Sequence, residues 1–311
     1  MEHILINCSA RETRVAVIVE SVLRDLFIER ASARGLVGNV YLGKVVRVLP
    51  GMQSAFVDVG LERTAFLHVA DIAEAKTETE ALKPIETLLH EGQSLMVQVA
   101  KDPIGTKGAR LTTTISLAGR KLVYLPRDPH IGVSQRIESE EQREELRAMM
   151  TALRPETEKG GYIIRTSAEE GATEEEFRDD MAYLGRLWEE IGEKAKKSHP
   201  PALLYQDLSL AQRVLRDMVH QQTDRVEVDS AKDFDALRTF AERFVPGVAE
   251  KLSLYEGETP LFELHGVEAE LEGALGRRVD LKSGGYLRLR SNRSDDDDRR
   301  QHGGYVGKRD F

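Results

Sequence analysis

The amino-acid sequence predicts an α+β multidomain protein, and three features of its 311 residues carry that expectation. Short apolar runs broken by polar residues and glycines fill roughly the first third, a pattern of strands and turns. Two helix-capping signatures and apolar residues at helical spacing follow. The length itself accommodates about two domains at ~100–200 residues each.

The strand reading begins with Ile4-Leu5-Ile6, the run from Val15 to Val19, and Leu26-Phe27-Ile28, which form a meander. Five further strands are expected at 40–48, 55–59, 64–69, 94–99 and 110–115, with glycine turns at Gly51, Gly60, Gly92, Gly105 and Gly108. Five short strands so connected predict a small closed barrel of the OB kind. The polar stretch 73–86 reads as a long loop or short helix between the third and fourth barrel strands. Ser139-Glu-Glu-Gln142 and Thr173-Glu-Glu-Glu176 are capping boxes that place acids in the first turn of a helix. Between them, Gly161-Tyr-Ile-Ile-Arg-Thr166 reads as a strand ending in a polar turn, and Lys196 to Pro201 stops the second helix. Val214, Leu215, Met218 and Val219 keep helical spacing, as do Phe234, Leu237, Phe240 and Phe244, a stripe expected to be core. Residues 281–289 are strand-like, whereas 291–300 have no core-forming pattern.

Composition narrows the function classes. With 53 acidic against 44 basic residues, the net charge of −9 argues against coating nucleic acid by bulk attraction. The distribution differs: Lys101, Lys107, Arg110, Arg120, Lys121 and Arg127 face a single acid, Asp102, over that stretch. Apolar residues make up 41% of the chain, as in folded soluble domains. One cysteine, Cys8, leaves no disulfide or cysteine-based zinc site within the chain, and the scattered histidines lack metal-ligand spacing. No apolar run reaches the ~18–20 residues that span a bilayer, and Met1-Glu2-His3 opens no signal peptide, so a cytoplasmic protein is expected.

Several long blocks resemble the bacterial ribonuclease E / ribonuclease G family. They are Arg34-Gly-Leu-Val-Gly-Asn-Val-Tyr-Leu-Gly-Lys44, Val48-Leu-Pro-Gly-Met-Gln-Ser-Ala-Phe-Val-Asp-Val-Gly60, Asp102-Pro-Ile-Gly-Thr-Lys-Gly-Ala-Arg-Leu-Thr-Thr113, Gly132-Val-Ser-Gln-Arg-Ile-Glu138 and Lys282-Ser-Gly-Gly-Tyr-Leu287. The resemblance runs from Leu5 to Leu287, resumes at Gly303 to Phe311, and is nearer the ribonuclease G branch. It implies an RNase H-like domain (1–35 and 205–270) interrupted by an S-one-type OB barrel (36–118) and a 5′-sensor domain (119–204). The truncated start of a DNase I-like catalytic domain would follow at 271–311. It further implies single-stranded RNA with a 5′ monophosphate as partner, and homo-oligomers in full-length relatives. Those relatives cleave phosphodiester bonds with magnesium in A/U-rich single strands, in rRNA processing and mRNA decay.

Four residues carry the implied RNA contact. Phe56 shares strand parity with Ser54 and Asp58, opposite to Ala55, Val57 and Val59, which puts it on the exposed face of an unbulged strand. A lone strand phenylalanine is usually core; parity and resemblance together make Phe56, with Phe66, a stacking platform for unpaired bases. Lys107 lies in Gly105-Thr-Lys-Gly108 with Arg110 close by. The glycines admit a phosphate to the backbone and the lysine supplies a mobile charge, at the family's RNA-contacting lysine position. Arg165-Thr166 offers a guanidinium fork and a hydroxyl to a terminal phosphate, where the resemblance adds backbone from Gly119 and Val123. The competing reading of Arg165 is an edge-strand ion pair with a nearby acid. Gln135 stands where ribonuclease E has an arginine, and Trp188 and Cys8 read as packing residues.

The catalytic letters are altered. In the family, Gly-Tyr-Leu leads to a strand ending Thr-Thr-Ile-Asp-Val-Asn-Thr-Gly-Gly-Tyr, whose aspartate helps hold magnesium. Fifteen residues separate Leu287 from Gly303-Gly-Tyr305, as that pattern requires, but the aspartate position falls on Arg299, beside Asp298. No intact catalytic residue and no metal site are therefore expected in this chain, nor the cysteines of the zinc link that joins subunits in relatives. Ser294 to His302 can be written AGC GAT GAC GAC GAT CGA CGT CAA CAC. Shifted by one base, those codons read Ala-Met-Thr-Thr-Ile-Asp-Val-Asn, the family motif. Two compensating single-base changes, near Arg288 and near His302, in the gene or in its sequencing, explain both the preserved spacing and the hidden motif.

Overall fold

Strands β1 (Glu2–Cys8), β2 (Glu12–Val19) and β3 (Val22–Arg30) form the expected antiparallel meander, with Ile4, Ile6, Val15 and Val17 fully buried. The computed structural model describes residues 1–75, 82–155, 157–169, 171–276, 278–280, 285–291 and 296–301. Two units emerge, one of Met1–Ser32 with Val219–Phe311, the other of Ala33–Met218.

The second unit contains the barrel. Its strands are β4 (Val40–Leu49), β5 (Ser54–Asp58), β6 (Ala65–His68), β7 (Ser94–Lys101) and β8 (Arg110–Thr112), with helix α1 (Ile85–Leu88) between β6 and β7. They are ordered β4-β5-β6-β8-β7, and a β4–β7 pairing closes the ring, consistent with an OB-type fold. Alternation does the sorting: Ala55, Val57, Leu67, Val97, Val99 and Leu111 point into the interior and are essentially inaccessible.

The same unit continues with β9 (Leu117–Ala118), β10 (Leu122–Leu125), β11 (Ile131–Val133), helix α2 (Glu140–Leu153), β12 (Gly161–Ile164) and helix α3 (Glu174–Lys197). The strands form a sheet in the order β11-β12-β10-β9. Helix α3 starts on a complete capping box between Thr173 and Glu176, with three acids in its first turn and three lysines in its last, which suits the helix dipole. At α2 only half of the expected box forms. The Ser139 side chain accepts from the Gln142 backbone, but the Gln142 amide donates to the Glu169 carbonyl instead of reaching back. Strand β13 (Ala202–Tyr205) then pairs with β4, and helix α4 (Leu210–Asp217) opens on a capping box of Ser209 and Gln212.

The first unit is completed by β14 (Thr223–Val228), α5 (Ala231–Phe244), α6 (Pro246–Ala249), β15 (Leu252–Leu254), α7 (Leu261–Leu264) and α8 (Val267–Ala274). Its sheet runs β15-β14-β1-β2-β3, with β14 parallel to β1 and β15 parallel to β14. Leu5, Ala16 and Ile18 pack against Leu261, Phe262 and Val267. The aromatic stripe of α5 is only partly core: Leu237 and Phe240 are buried, while Phe234 and Phe244 are half-buried. Strands β16 (Arg278–Asp280), β17 (Tyr286–Ser291) and β18 (Asp296–Gln301) form a separate antiparallel sheet. Part of the segment that shows no core pattern is therefore a strand, with Asp298 opposite Leu289 and Arg299 opposite Arg288. Gly303 to Phe311 lie outside the described residues, as do 281–284 and 292–295.

Candidate nucleic-acid interface

On the barrel, Phe56 and Phe66 are direct cross-strand partners on β5 and β6. Their rings meet edge-to-face, centroids 6.2 Å apart, and both are half-buried on the outside of a wall whose inner positions are sealed. Two aromatic rings held side by side on a strand surface leave faces on which bases can stack. Arg110 on β8 pairs in register with Phe66. Its guanidinium is bound fork-to-fork by Asp71, Nε to Oδ2 at 2.8 Å and Nη2 to Oδ1 at 3.1 Å, so its charge is already shared. Lys107 sits on a tight hairpin closed by two backbone bonds to Ile104, and Gly105 at its tip takes a positive φ of 56°, which glycine adopts without a Cβ penalty. The Lys107 ammonium is exposed and has no side-chain partner among the described residues.

Away from the barrel strands, Arg165 meets Gly119, two of the residues expected to read a 5′ phosphate. The Arg165 Nη1 donates to the Gly119 carbonyl at 2.5 Å, to the Arg120 carbonyl at 3.2 Å and to Asp217 Oδ1 at 2.7 Å. All three bonds use one nitrogen. The Nε and Nη2 donors, the edge suited to bidentate phosphate binding, have no partner among the described residues. Thr166 follows at the start of a single turn, Thr166–Ala168, and its hydroxyl is likewise without a partner among the described residues. Gly119 is buried, and its N–H is taken by the Leu122 carbonyl at 2.8 Å. Val123 lies on β10 between Ala118 and Ile163. The ion pair expected as the competing reading of Arg165 does form, but with an acid 52 positions away on α4 and through one nitrogen only.

Two acids that sequence reasoning passed over hold this corner. The Asp180 carboxylate, on α3, accepts the backbone N–H groups of Arg120 at 3.1 Å, Lys121 at 2.6 Å and Leu122 at 2.9 Å. Burial pushes its pKa above the ordinary range against the opposing pull of those three bonds and of the Arg165 charge. A Cβ on Gly119 would fall 2.7 Å from Asp180 Oδ2, so only glycine lets the chain pass this close. Asp217 is gripped by Arg216, Nε at 3.0 Å and Nη2 at 2.9 Å, while Arg216 Nη1 donates to the Ala118 carbonyl at 2.9 Å. Burial raises the Asp217 pKa, but the bonds and charges of Arg216 and Arg165 outweigh it and hold the carboxyl below its usual value. Ser167 adds a hydroxyl bond of 2.6 Å to the Arg120 carbonyl, and Lys121 Nζ donates to the Ser167 carbonyl at 2.6 Å. The 118–122 segment is therefore fixed by side chains from three elements. A spacing rule could have flagged only one of these acids, Asp217 in the last turn of a helix, where an acid opposes the dipole and wants a cation.

Two observations concern the metal that the resemblance implies. The position where the resemblance leads one to expect the aspartate carries Arg299, with Arg300 next to it. Among the described residues no group of three or more His, Cys, Asp or Glu side chains is placed to hold an ion. Cys8 lies half-buried in β1, its thiol pushed up to about 12 by burial and by Asp233 and Asp229, the opposite of what a zinc thiolate needs. Among the described residues no helix is long and apolar enough to cross a membrane.

The ribonuclease E/G family model matches residues 116–291. Ribonuclease G of Haemophilus influenzae is 48% identical over 292 residues, covering 92% of this chain and 59% of that protein. The same figures hold for ribonuclease G of Escherichia coli strain K12. Ribonuclease E of a Nostoc species is 37% identical over 276 residues, 88% of this chain and 39% of its own length. This chain thus spans 59% of the ribonuclease G proteins it matches. With the barrel, the mixed α+β architecture and these matches together, the chain belongs to the ribonuclease E/G family, with greater similarity to ribonuclease G than to ribonuclease E.

Proposed function

We propose that this chain is the RNA-recognising part of a ribonuclease E/G-type endoribonuclease, binding single-stranded RNA across the barrel and reading a 5′ monophosphate at Arg165 and Thr166. The observation that carries the reading is the unengaged Nε and Nη2 edge of Arg165, held in place from the other side by Asp217 and two carbonyls. Bases would stack on Phe56 and Phe66, while Lys107 supplies a phosphate contact and Arg110, locked to Asp71, braces the platform. The division into RNase H-like segments (1–35 and 205–270), S-one-type barrel (36–118), 5′-sensor (119–204) and start of a DNase I-like domain (271–311) belongs to the same proposal. So do magnesium-dependent cleavage, homo-oligomers, rRNA processing and mRNA decay, as roles of the whole protein.

A second reading has a specific observation behind it. Arg299 at the aspartate position favours a chain that binds RNA without cutting it. Four successive aspartates, Asp295 to Asp298, repel one another rather than converge on one ion, and two arginines adjoin them. Incubating the purified chain with a 5′-monophosphorylated oligonucleotide and Mg²⁺ separates the two. Binding without cleavage is expected; cutting at discrete sites, abolished by EDTA, would restore catalysis to this chain. Resequencing the DNA through codons 285–311 tests the double frameshift, and codons that yield the family motif in no frame would refute it.

A further inference from the structure

The Phe56–Phe66 pair is the middle of a longer row. Strand register carries it outward in both directions: Arg47 on β4 is the partner of Phe56, and beyond Phe66 come Arg110 on β8 and Lys101 on β7. The two outer cations reach this row only because both flanking strands are bulged. On β4 the register shifts between Val45 and Arg47, making Val46 the extra residue. On β7 it shifts between Val99 and Lys101, making Ala100 the extra residue. Without the bulges, alternation would set Val46 beside Phe56 and Ala100 beside Arg110, and would turn Arg47 and Lys101 toward the interior. One inserted residue re-aims a side chain, and here each insertion exchanges a small apolar neighbour of the row for a cation.

The surroundings agree. Val45 and Val99, just before the bulges, are buried in the barrel core, whereas Val46, Arg47, Ala100 and Lys101 are exposed. Unlike Arg110, neither Arg47 nor Lys101 has an ion pair or a side-chain hydrogen bond among the described residues. Arg47 lies just before the turn joining β4 to β5 and Lys101 just before the loop joining β7 to β8, the two connections that border the ligand face of an OB barrel. Two unpaired cations, one on each side of an aromatic pair, match a strand of unpaired nucleotides whose bases stack centrally while its phosphates pass at either edge. A folded acidic protein would offer no succession of flat faces to the two rings.

We propose that Arg47 and Lys101 are phosphate-binding residues that extend the aromatic platform into a five-strand track for single-stranded RNA, and that the paired bulges at Val46 and Ala100 exist to aim them. The inference rests on the barrel's being the RNA-binding face. The track follows the curved surface across four inter-strand steps of about 4.8 Å each. Because each end charge meets a backbone phosphate rather than a base, each contributes to affinity through counterion release and not through base identity.

The test uses the full chain and a 5′-hydroxyl A/U oligonucleotide, so that the terminal-phosphate site plays no part. Arg47→Ala and Lys101→Ala should each make the slope of log affinity against log salt shallower by about 0.7, and the double variant by about 1.4. Over a fourfold rise in salt, each single variant then loses about 2.6-fold less affinity than the parent. Arg47→Lys should keep the parental slope, since a point charge suffices. Slopes unchanged in both single variants, with Lys107→Ala still shallower than the parent, would overturn the track and leave the barrel reading standing. Parental affinity and slope in Phe56→Ala and Lys107→Ala as well would remove the barrel reading and the track with it. Fluorescence of Trp188 confirms that each variant is folded before it is titrated.

Discussion

Replacing Asp180 by alanine should loosen the corner around Gly119 and Arg165, where phosphate sensing is proposed, and the size of the effect follows from what its carboxylate holds. Three backbone N–H groups lose their acceptor at once. Two of them belong to buried residues, Lys121 and Leu122, and an orphaned buried donor costs about 1–3 kcal/mol. Arg120 is half-exposed, so its N–H regains a water at little cost. The expected loss is about 2–6 kcal/mol, a large share of the ~5–15 kcal/mol that holds a domain together. Asparagine should cost less, about 1–3 kcal/mol, because its one carbonyl oxygen can replace Oδ2 for Lys121 and Leu122 while its amide opposes the Arg120 N–H. Gly119→Ala should destabilise too, since its Cβ would collide with the same carboxylate. Trp188, the one tryptophan in the chain, lies on α3 eight residues beyond Asp180, so urea unfolding followed by its fluorescence reads this unit directly. An alanine variant within about 0.5 kcal/mol of the parent would refute the reasoning, because that is the range of surface substitutions that touch nothing.

Three other outcomes are expected. Phe56→Ala should weaken single-stranded RNA binding by about 1–3 kcal/mol with the Trp188 unfolding transition unmoved; unfolding with RNA affinity unchanged per folded molecule would make Phe56 a core residue. Lys107→Ala should weaken binding alike across sequences and reduce the salt slope by about 0.7, and an unchanged slope would place it off the RNA path. Asp217, whose folded pKa lies below its unfolded value of ~3.9, stabilises the fold above that value and loses its contribution as pH falls through the folded value. The stability gap between the parent and Asp217→Asn should therefore be flat from about pH 5 to 8 and close below about pH 4; a gap that changes between pH 6 and 8 would show that another group governs it.

What could be read from the sequence, and what could not, divides by the range of the interaction. Barrel strands were legible because period-two alternation and glycine turns are local, and Phe56 faced outward as its parity with Ser54 and Asp58 required. Helix α3 was legible from Thr173 and Glu176, three residues apart. Ser139 showed the limit of the same rule, since Gln142 found a partner at Glu169 that lies far along the chain. Strands β14 and β15 escaped notice because Thr223–Val228 mixes charges with valines and Leu252–Leu254 is three residues long; both owe their conformation to parallel pairing within the sheet of β1. Asp180 and Asp217 looked like ordinary acids in charged helices, and only the fold brings them against 118–122 and Arg165. Bulges leave no mark in composition, so Arg47 and Lys101 could not be placed beside the aromatic row until the register was known.

The dissociation constants of 5′-monophosphorylated and 5′-hydroxyl forms of one single-stranded RNA, measured without Mg²⁺ for the parent chain and for Arg165→Ala, test the proposed function most directly. A bidentate guanidinium–phosphate contact is worth about 1.5–3 kcal/mol, so the parent should prefer the monophosphate by about tenfold or more. Arg165→Ala should bind both forms alike while keeping the parent's affinity for the hydroxyl form, the part of binding proposed for the barrel. Equal binding of the two RNAs by the parent chain would contradict a 5′-phosphate site at Arg165 and Thr166.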